Sequence, residues 1–250
     1  LRMLRAVRFS TRLGFRIEDH TWAAIGKLAK NITKISGERI AMEMETTLAD
    51  PNRRRGAGML VESGLAGAIF PVMHGRDAKL GIEVVGYLRK NVDFPLALAG
   101  LFAAFSTDDV LKAVGVLKLS GAHRKHLKFL LESRGRLLDA DMPLAQLKLI
   151  AGEPYFWDLY DLQWAIQKAS SATVAPLAAI KRRARQLKGR QLRPRPLLDG
   201  RQLIGLGVRP GPMVGLASRE MYIAQLGEQI TDARQAKQWV ADWLKKHRNL

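Results

Sequence analysis

The sequence predicts an all-α protein built from many helices, and three observations carry that prediction. Apolar residues recur at helical spacing along nearly the whole chain. No stretch alternates apolar and polar residues over the length of a strand, so nothing argues for a sheet. Hydrophobic residues make up 47% of the 250 residues, which is enough to bury a core in one long domain or several small ones.

The first predicted helix carries Arg2, Arg5 and Arg8 at every third position. This spacing places the three guanidinium groups on a common side of the helix, and the apolar residues between them supply a side that can pack. The three charges repel one another unless an anionic or planar group lies against them, and guanidinium groups suit phosphates and nucleobase edges. The alternative is a solvated basic face paired with acids elsewhere, and the spacing alone leaves both open.

The next two helices are predicted from their capping residues. Thr21 is expected to cap a helix over residues 22–30, with Ile25 and Leu28 facing inward. Ser36 suits the N-cap of the helix that follows.

Capping residues also predict helices in the middle of the chain, where Asp108 and Ser120 are the expected N-caps. Trp157, Tyr160 and Trp164 share one side of a predicted helix, and we interpret this stripe as core and not as a base-stacking platform. Trp239 and Trp243 are interpreted in the same way. The predicted helices of this region cover, in order, residues 54–63, 81–91, 94–105, 110–117, 121–138, 143–151 and 155–170.

The charge balance points to a polyanionic partner. Lys and Arg number 41 against 23 Asp and Glu, giving a net charge of +18. Such a field attracts polyanions and speeds their encounter. Nucleic acid is the commonest explanation, and a membrane surface or a generally basic composition are weaker ones.

The densest basic run precedes a proline-punctuated segment that resembles a domain boundary. We interpret the run as a track for an RNA backbone, with a solvated linker as the alternative. A second, weaker basic patch consists of Arg124, Lys125 and Lys128. The residues of the run are Lys181, Arg182, Arg183, Arg185, Lys188, Arg190, Arg193 and Arg195.

Several classes of site are excluded or disfavoured. The chain has no Cys, which excludes disulfides and cysteine-based zinc sites. His123 and His126 lie one turn apart, but the cations around them disfavour a metal ion, so no metal site is predicted. No Ser-His-Asp arrangement, phosphate-binding loop or dinucleotide-binding glycine pattern is present. No apolar run is long enough to span a bilayer, and a cytoplasmic location is the default expectation.

Three segments carry a family resemblance. Residues 2–17 read R-M-L-R-A-V-R-F-x-x-R-L-G-F-x-I, and Gly37-Glu38-Arg39-Ile40 and Glu43 follow. Together they resemble the class II tRNA nucleotidyltransferase and bacterial poly(A) polymerase family. Residues 117–125 resemble its body domain, and residues 196–212 resemble its C-terminal region.

The resemblance implies a domain order of neck (residues 1–65), helical body (66–190) and RNA-binding tail (191–250). It also implies that the catalytic α/β head is absent. Leu1 falls on the position just before the motif's Arg, so the motif's Glu and Asp would lie upstream. The chain is therefore expected to be inactive alone, with Mg²⁺ bound by the missing head.

The resemblance also assigns roles. Arg2, Arg5 and Arg8 would bind ATP and CTP, and Glu38 and Arg39 would fix the helices around the nucleotide. The RNA partner would be tRNA or another RNA 3′ end. The rival interpretations are a poly(A) polymerase and a non-catalytic RNA-binding protein, and the oligomeric state stays open.

One position departs from the pattern of some relatives. Where those proteins have a His-Asp metal pair at the end of a helix, this chain has Ala103 and Ala104. Neither side chain has a donor atom, so a metal-dependent phosphohydrolase activity is not expected.

Overall fold

A computed structural model describes residues 1–187, 189 and 192–247. These residues form fifteen α-helices joined by short 3₁₀ turns, and they include no strand, so the predicted all-α class is confirmed. The helices are α1 (Arg2–Leu13), α2 (Asp19–Leu28), α3 (Gly37–Ala49), α4 (Arg53–Glu62), α5 (Leu65–Ile69), α6 (Lys79–Tyr87), α7 (Phe94–Leu101), α8 (Thr107–Ala113), α9 (Gly121–Glu132), α10 (Leu144–Ala151), α11 (Phe156–Ala169), α12 (Ala175–Gln186), α13 (Gly200–Gly205), α14 (Pro212–Leu226) and α15 (Ala233–Lys246).

The chain divides into two compact units. The first contains residues 1–138 and 157–177, and the second contains residues 139–156 and those from 178 onwards. The division into neck, body and tail stays a prediction. No helix among the described residues combines the length and apolar character needed to cross a bilayer.

Helix α7 is the centre of the first unit, and all eight of its residues are buried. Asp93 caps it by accepting a hydrogen bond from the backbone N–H of Leu96. α7 packs against α3, α6 and α9. The crossing with α6 requires Gly81, because a Cβ at that position would lie 1.9 Å from the carbonyl oxygen of Leu101.

Helix α1 packs against α3 and α4 through its buried face. It ends at Gly14, whose φ of 77° is a left-handed conformation that favours glycine. Arg55 of α4 then fixes the chain beyond the helix, because it donates to the backbone carbonyls of Gly14 and Phe15. These contacts hold the basic first helix rigidly on its neighbours. Its buried residues are Leu4, Val7, Ser10 and Thr11.

The second unit has a core of its own. Asp199 and Gln202 form a capping box at the start of α13. Trp243 of α15 is buried, and its indole N–H donates to Glu220 of α14 over 2.6 Å. The core prediction for Trp243 is therefore confirmed. The other buried members of this core are Leu198, Leu203, Val208, Ala217, Met221, Ala224, Ile230, Ala236 and Val240.

Two predicted caps are wrong because another side chain reaches the free N–H groups first. α2 begins earlier than predicted, and its cap is Glu18, which accepts from the backbone of His20 and Thr21. Ser106, and not Asp108, caps α8. Ser120 caps α9 as predicted, since its hydroxyl accepts from the backbone N–H of His123.

Two orientation predictions also fail. Leu28 is 50% exposed, because the helix gives way to a 3₁₀ turn at Ala29 and the helical periodicity stops. Trp157 is 47% exposed, and Tyr160 and Trp164 are only partly buried. The core face of α11 is instead formed by Phe156, Leu159, Leu162 and Ala165.

Candidate functional site

The three arginines of α1 differ in exposure. Arg2 is exposed and has no acidic partner among the residues that the structure describes. The side chain of Arg5 is 52% exposed and that of Arg8 is 23% exposed. The predicted common side is thus present, and it becomes more buried along the helix.

Glu43 of α3 is the acid that neutralises part of this charge. One carboxylate oxygen accepts from Nε of Arg5 at 2.9 Å, and the other lies 3.1 Å from Nη1 of Arg8. Glu43 is buried, so the ion pair is screened from bulk water on its acidic side. The guanidinium of Arg8 also lies 4.5 Å above the ring centre of Phe9. Both arginines are therefore held in fixed orientations while Arg2 stays exposed.

The two predicted supporting residues lie in different places. Arg39 is exposed on α3, which packs against α1. Glu38 instead pairs with Lys118 at 3.0 Å on the surface. Its pKa is lowered by a hydrogen bond from its own backbone N–H and by Lys118. The supporting role of both residues stays a prediction.

Sequence reasoning names Glu43 in the family motif and as a possible salt-bridge partner, but does not assign it to Arg5 and Arg8. The available signal was weak, because 38 residues separate Glu43 from Arg5. A buried carboxylate on the inward face of α3, among Ile40, Met44 and Leu48, was the one clue. Such a carboxylate requires a basic partner.

The basic patch on α9 lies on the solvent side of that helix. Arg124, Lys125 and Lys128 are exposed, and Lys128 also pairs with Glu132 at 3.6 Å. The opposite side of the helix is buried through His126, Leu127, Leu130 and Leu131. The patch is thus accessible to a polyanion.

The basic run beginning in α12 separates into two groups. Arg182 and Arg185 are exposed. Arg183 is partly buried, and its guanidinium donates to the backbone carbonyls of Ala140 and Met142. These bonds tie α12 to the segment before α10, so Arg183 has a structural task. Lys181 is partly buried.

The later part of the run is also mixed. Arg193 pairs with Glu153 at 3.0 Å, and the side chain of Arg195 is exposed. Lys188 and Arg190 lie outside the described residues. The RNA-binding role of the whole run stays a prediction.

His126 does not act with His123, although the sequence places them one turn apart. It faces inward from α9 and lies between the carboxylates of Asp93 and Asp158. The basic neighbours considered in the sequence point to solvent and do not surround its ring. Beside Ala103, the position of the metal pair in some relatives, the guanidinium of Arg134 donates to the backbone carbonyls of Phe102 and Ala103.

Comparison with known proteins connects this geometry to a family. Residues 14–75 match the family model described as the probable RNA and SrmB-binding site of polymerase A. A CCA-adding enzyme of Lacticaseibacillus paracasei is 30% identical over 227 residues, which cover 88% of this chain and 53% of that protein. The chain is therefore similar to CCA-adding enzymes over most of its own length.

Solved structures of CCA-adding enzymes share the fold of this chain. The Bacillus stearothermophilus CCA-adding enzyme in complex with CTP superposes with a TM-score of 0.68 at 21% identity, over 99% of this chain and 62% of the other. The Thermotoga maritima CCA-adding enzyme complexed with tRNA_CCA gives 0.58 at 18% identity, over 97% and 60%. The chain thus spans about half to three fifths of the length of these proteins.

Proposed function

We propose that this chain is the nucleotide- and RNA-binding part of a tRNA nucleotidyltransferase that adds CCA to tRNA 3′ ends from CTP and ATP. The observation that carries the proposal is the basic first helix, whose Arg5 and Arg8 are held by the buried Glu43. The relatives with the same helical fold are CCA-adding enzymes, and one of them is complexed with CTP.

Arg2 is the residue that we expect to select the nucleotide. It is exposed, and a guanidinium can offer two parallel N–H donors to the acceptor edge of a base. Arg5 and Arg8 support base or phosphate contacts from positions that Glu43 fixes. Selection by protein side chains in this way replaces selection by a template strand.

The RNA is expected to bind through shape and phosphate contacts. The exposed Arg124 and Lys125 of α9 and the exposed Arg182 and Arg185 of α12 are suited to phosphate contacts. The matched RNA-binding family model supports the same partner for residues 14–75. A cytoplasmic location is part of the proposal.

Magnesium belongs to the catalytic part of such an enzyme and not to α1. Both oxygens of Glu43 are engaged by arginines, so this carboxylate is not available to a metal ion. When bound, two magnesium ions would promote in-line attack of the RNA 3′-hydroxyl on the α-phosphate of the nucleotide. The 250 residues alone are expected to bind nucleotide and RNA without catalysis.

A poly(A) polymerase is the second candidate, and the description of the matched family model favours it. Such an enzyme would use the same α1 geometry for ATP alone and would extend RNA ends without a fixed count. A non-catalytic RNA-binding protein is the third.

The test rejoins the chain to its upstream coding sequence. The purified product is given a tRNA that lacks its 3′ CCA, with magnesium, CTP and ATP, and the products are resolved to one nucleotide. Addition of C, C and A followed by a stop supports the CCA-adding enzyme. A ladder of A residues assigns the poly(A) polymerase. Salt-sensitive RNA binding without extension assigns the RNA-binding protein.

A further inference from the structure

A buried histidine lies between two carboxylates in the first unit, away from the arginines of α1 in the sequence. Nδ1 of His126 is 3.4 Å from an oxygen of Asp93, and Nε2 is 3.0 Å from an oxygen of Asp158. The side chain of His126 is 5% exposed. Asp93 caps α7, His126 belongs to α9 and Asp158 belongs to α11, so three helices meet at one imidazole.

The two carboxylates that contact the ring favour a positive imidazole. Arg89 contacts Asp158 at 2.6 Å and lies 3.5 Å from Asp161. Arg53 of α4 also interacts electrostatically with Asp161. Arg89 acts on both Asp93 and Asp158, so these two carboxylates retain one negative charge for an imidazolium to neutralise.

Charged side chains on the neighbouring helices α8 and α9 have surroundings of their own. α7 contains no ionisable side chain, and Asp109 of α8 pairs with Arg76. On α9 itself, Arg124, Lys125 and Lys128 are exposed on the opposite side.

The ionisation of the three groups agrees with this geometry. Burial disfavours the charged imidazole, but the contacts with Asp158 and Asp93 outweigh burial and raise the pKa of His126. Burial also disfavours the charged carboxylates, but His126 lowers the pKa of Asp93, and His126 with Arg89 lowers that of Asp158. Asp161 differs, because burial raises its pKa despite Arg89.

We propose that His126 is held as an imidazolium between Asp93 and Asp158, and that this clasp makes the first unit's stability depend on pH. The clasp joins residues 93, 126 and 158, which are far apart in the chain, so losing it loosens α7, α9 and α11 together. It is independent of the nucleotide-binding proposal.

A proton fits this cluster better than a metal ion. The ligand atoms lie within 4.8 Å of one another, but the two carboxylates face different ring nitrogens. One metal ion can bind only one nitrogen of a given ring, and a tetrahedral zinc ion needs ligand atoms about 3.4 Å apart. The guanidinium of Arg89 on Asp158 opposes a further cation.

The direction of the pH dependence follows from the raised pKa. The imidazolium contributes fully below the unfolded histidine pKa, about 6.5, and its contribution is lost as the pH rises through the higher folded pKa. The carboxylates give the opposite limit, because their contribution is lost as the pH falls through their lowered folded pKa. The clasp is therefore expected to be complete between about pH 4 and pH 6.5.

The experiment uses the full chain and two readouts. In a pH titration followed by ¹⁵N NMR of the imidazole, both ring nitrogens of His126 should stay protonated above pH 6.5. In urea unfolding, the folding equilibrium constant of the wild type relative to H126Q should fall between pH 6 and pH 9, about tenfold for each unit of pKa elevation. H123Q, on the same helix, should track the wild type.

Three results would overturn the clasp. The first is a neutral ring below pH 6.5, which the NMR titration reports even if H126Q does not fold. The second is an unchanged pH dependence in H126Q. The third is stoichiometric Zn²⁺ binding that shifts the His126 resonances and is lost in D158N, which would make the cluster a metal site.

Discussion

Glu43 is a buried carboxylate whose two oxygens lie against different arginines, Arg5 and Arg8. Glu43→Gln keeps the shape of the side chain and removes its charge, so two guanidiniums face each other without an acid. Because the arginines are partly exposed, we expect a loss of about 1–2 kcal/mol in the free energy of unfolding, less than for a fully buried pair. Urea unfolding of the chain measures it, with Glu45→Gln as the exposed control on the same helix. Equal stability of both variants would contradict the role of Glu43.

Arg2 carries the prediction about nucleotide choice. Arg2→Ala in the completed enzyme should reduce discrimination between correct and incorrect nucleotides by about 10- to 100-fold, because a paired guanidinium contact contributes roughly 1–3 kcal/mol. RNA affinity should change much less. Single-nucleotide incorporation assays and RNA binding assays measure the two effects, with the exposed Arg12→Ala on the same helix as control. An equal loss of selection and RNA affinity, or no loss of either, would rule out the role.

At the scale of whole helices, the sequence predicts which segments are helical better than it predicts the residues at which the helices begin and end. Ser120 is found as a cap because its hydroxyl and the N–H of His123 are three residues apart, a local relation. Thr21 belongs to a preferred capping type and glutamate does not, yet it is Glu18 that accepts from two backbone N–H groups at the start of α2. The core prediction fails at the exposed Trp157 of α11, because spacing identifies a stripe and not the direction in which it faces.

The basic run of helix α12 contains neighbouring arginines with different predicted roles, one in stabilising the fold and one in binding RNA. Arg183→Ala should lower the free energy of unfolding by about 2 kcal/mol, because it leaves the carbonyls of Ala140 and Met142 without their charged donor. Arg182→Ala should leave stability unchanged within about 0.5 kcal/mol, since its side chain is exposed, and should weaken RNA binding. Urea unfolding and filter binding of both variants measure the two effects. The same profile for both variants would show that the division is wrong.

At the scale of the molecule, composition and motif predict the class of partner, but they do not predict which distant residues contact each other in the folded chain. The net charge of +18 and the spacing of Arg2, Arg5 and Arg8 can be read directly from the sequence. The pairing of Arg5 with Glu43 and the meeting of Asp93, His126 and Asp158 join positions separated by 32 or more residues. Such contacts depend on how helices cross, which periodicity does not specify.

The basic surface as a whole gives the last prediction, the salt dependence of RNA binding. Each phosphate contact releases counterions, so the logarithm of the binding constant should fall linearly with the logarithm of salt concentration, by about 0.7–0.9 per contact. Replacing Arg124, Lys125, Arg182 and Arg185 by Gln should reduce the slope by about 3 if all four contact phosphates. A matched variant of four exposed cations outside the residues proposed to bind RNA, Lys79, Lys90, Lys112 and Arg136, tests whether any loss of charge has the same effect. If both variants flatten the slope equally, the net field and not the two patches binds the RNA.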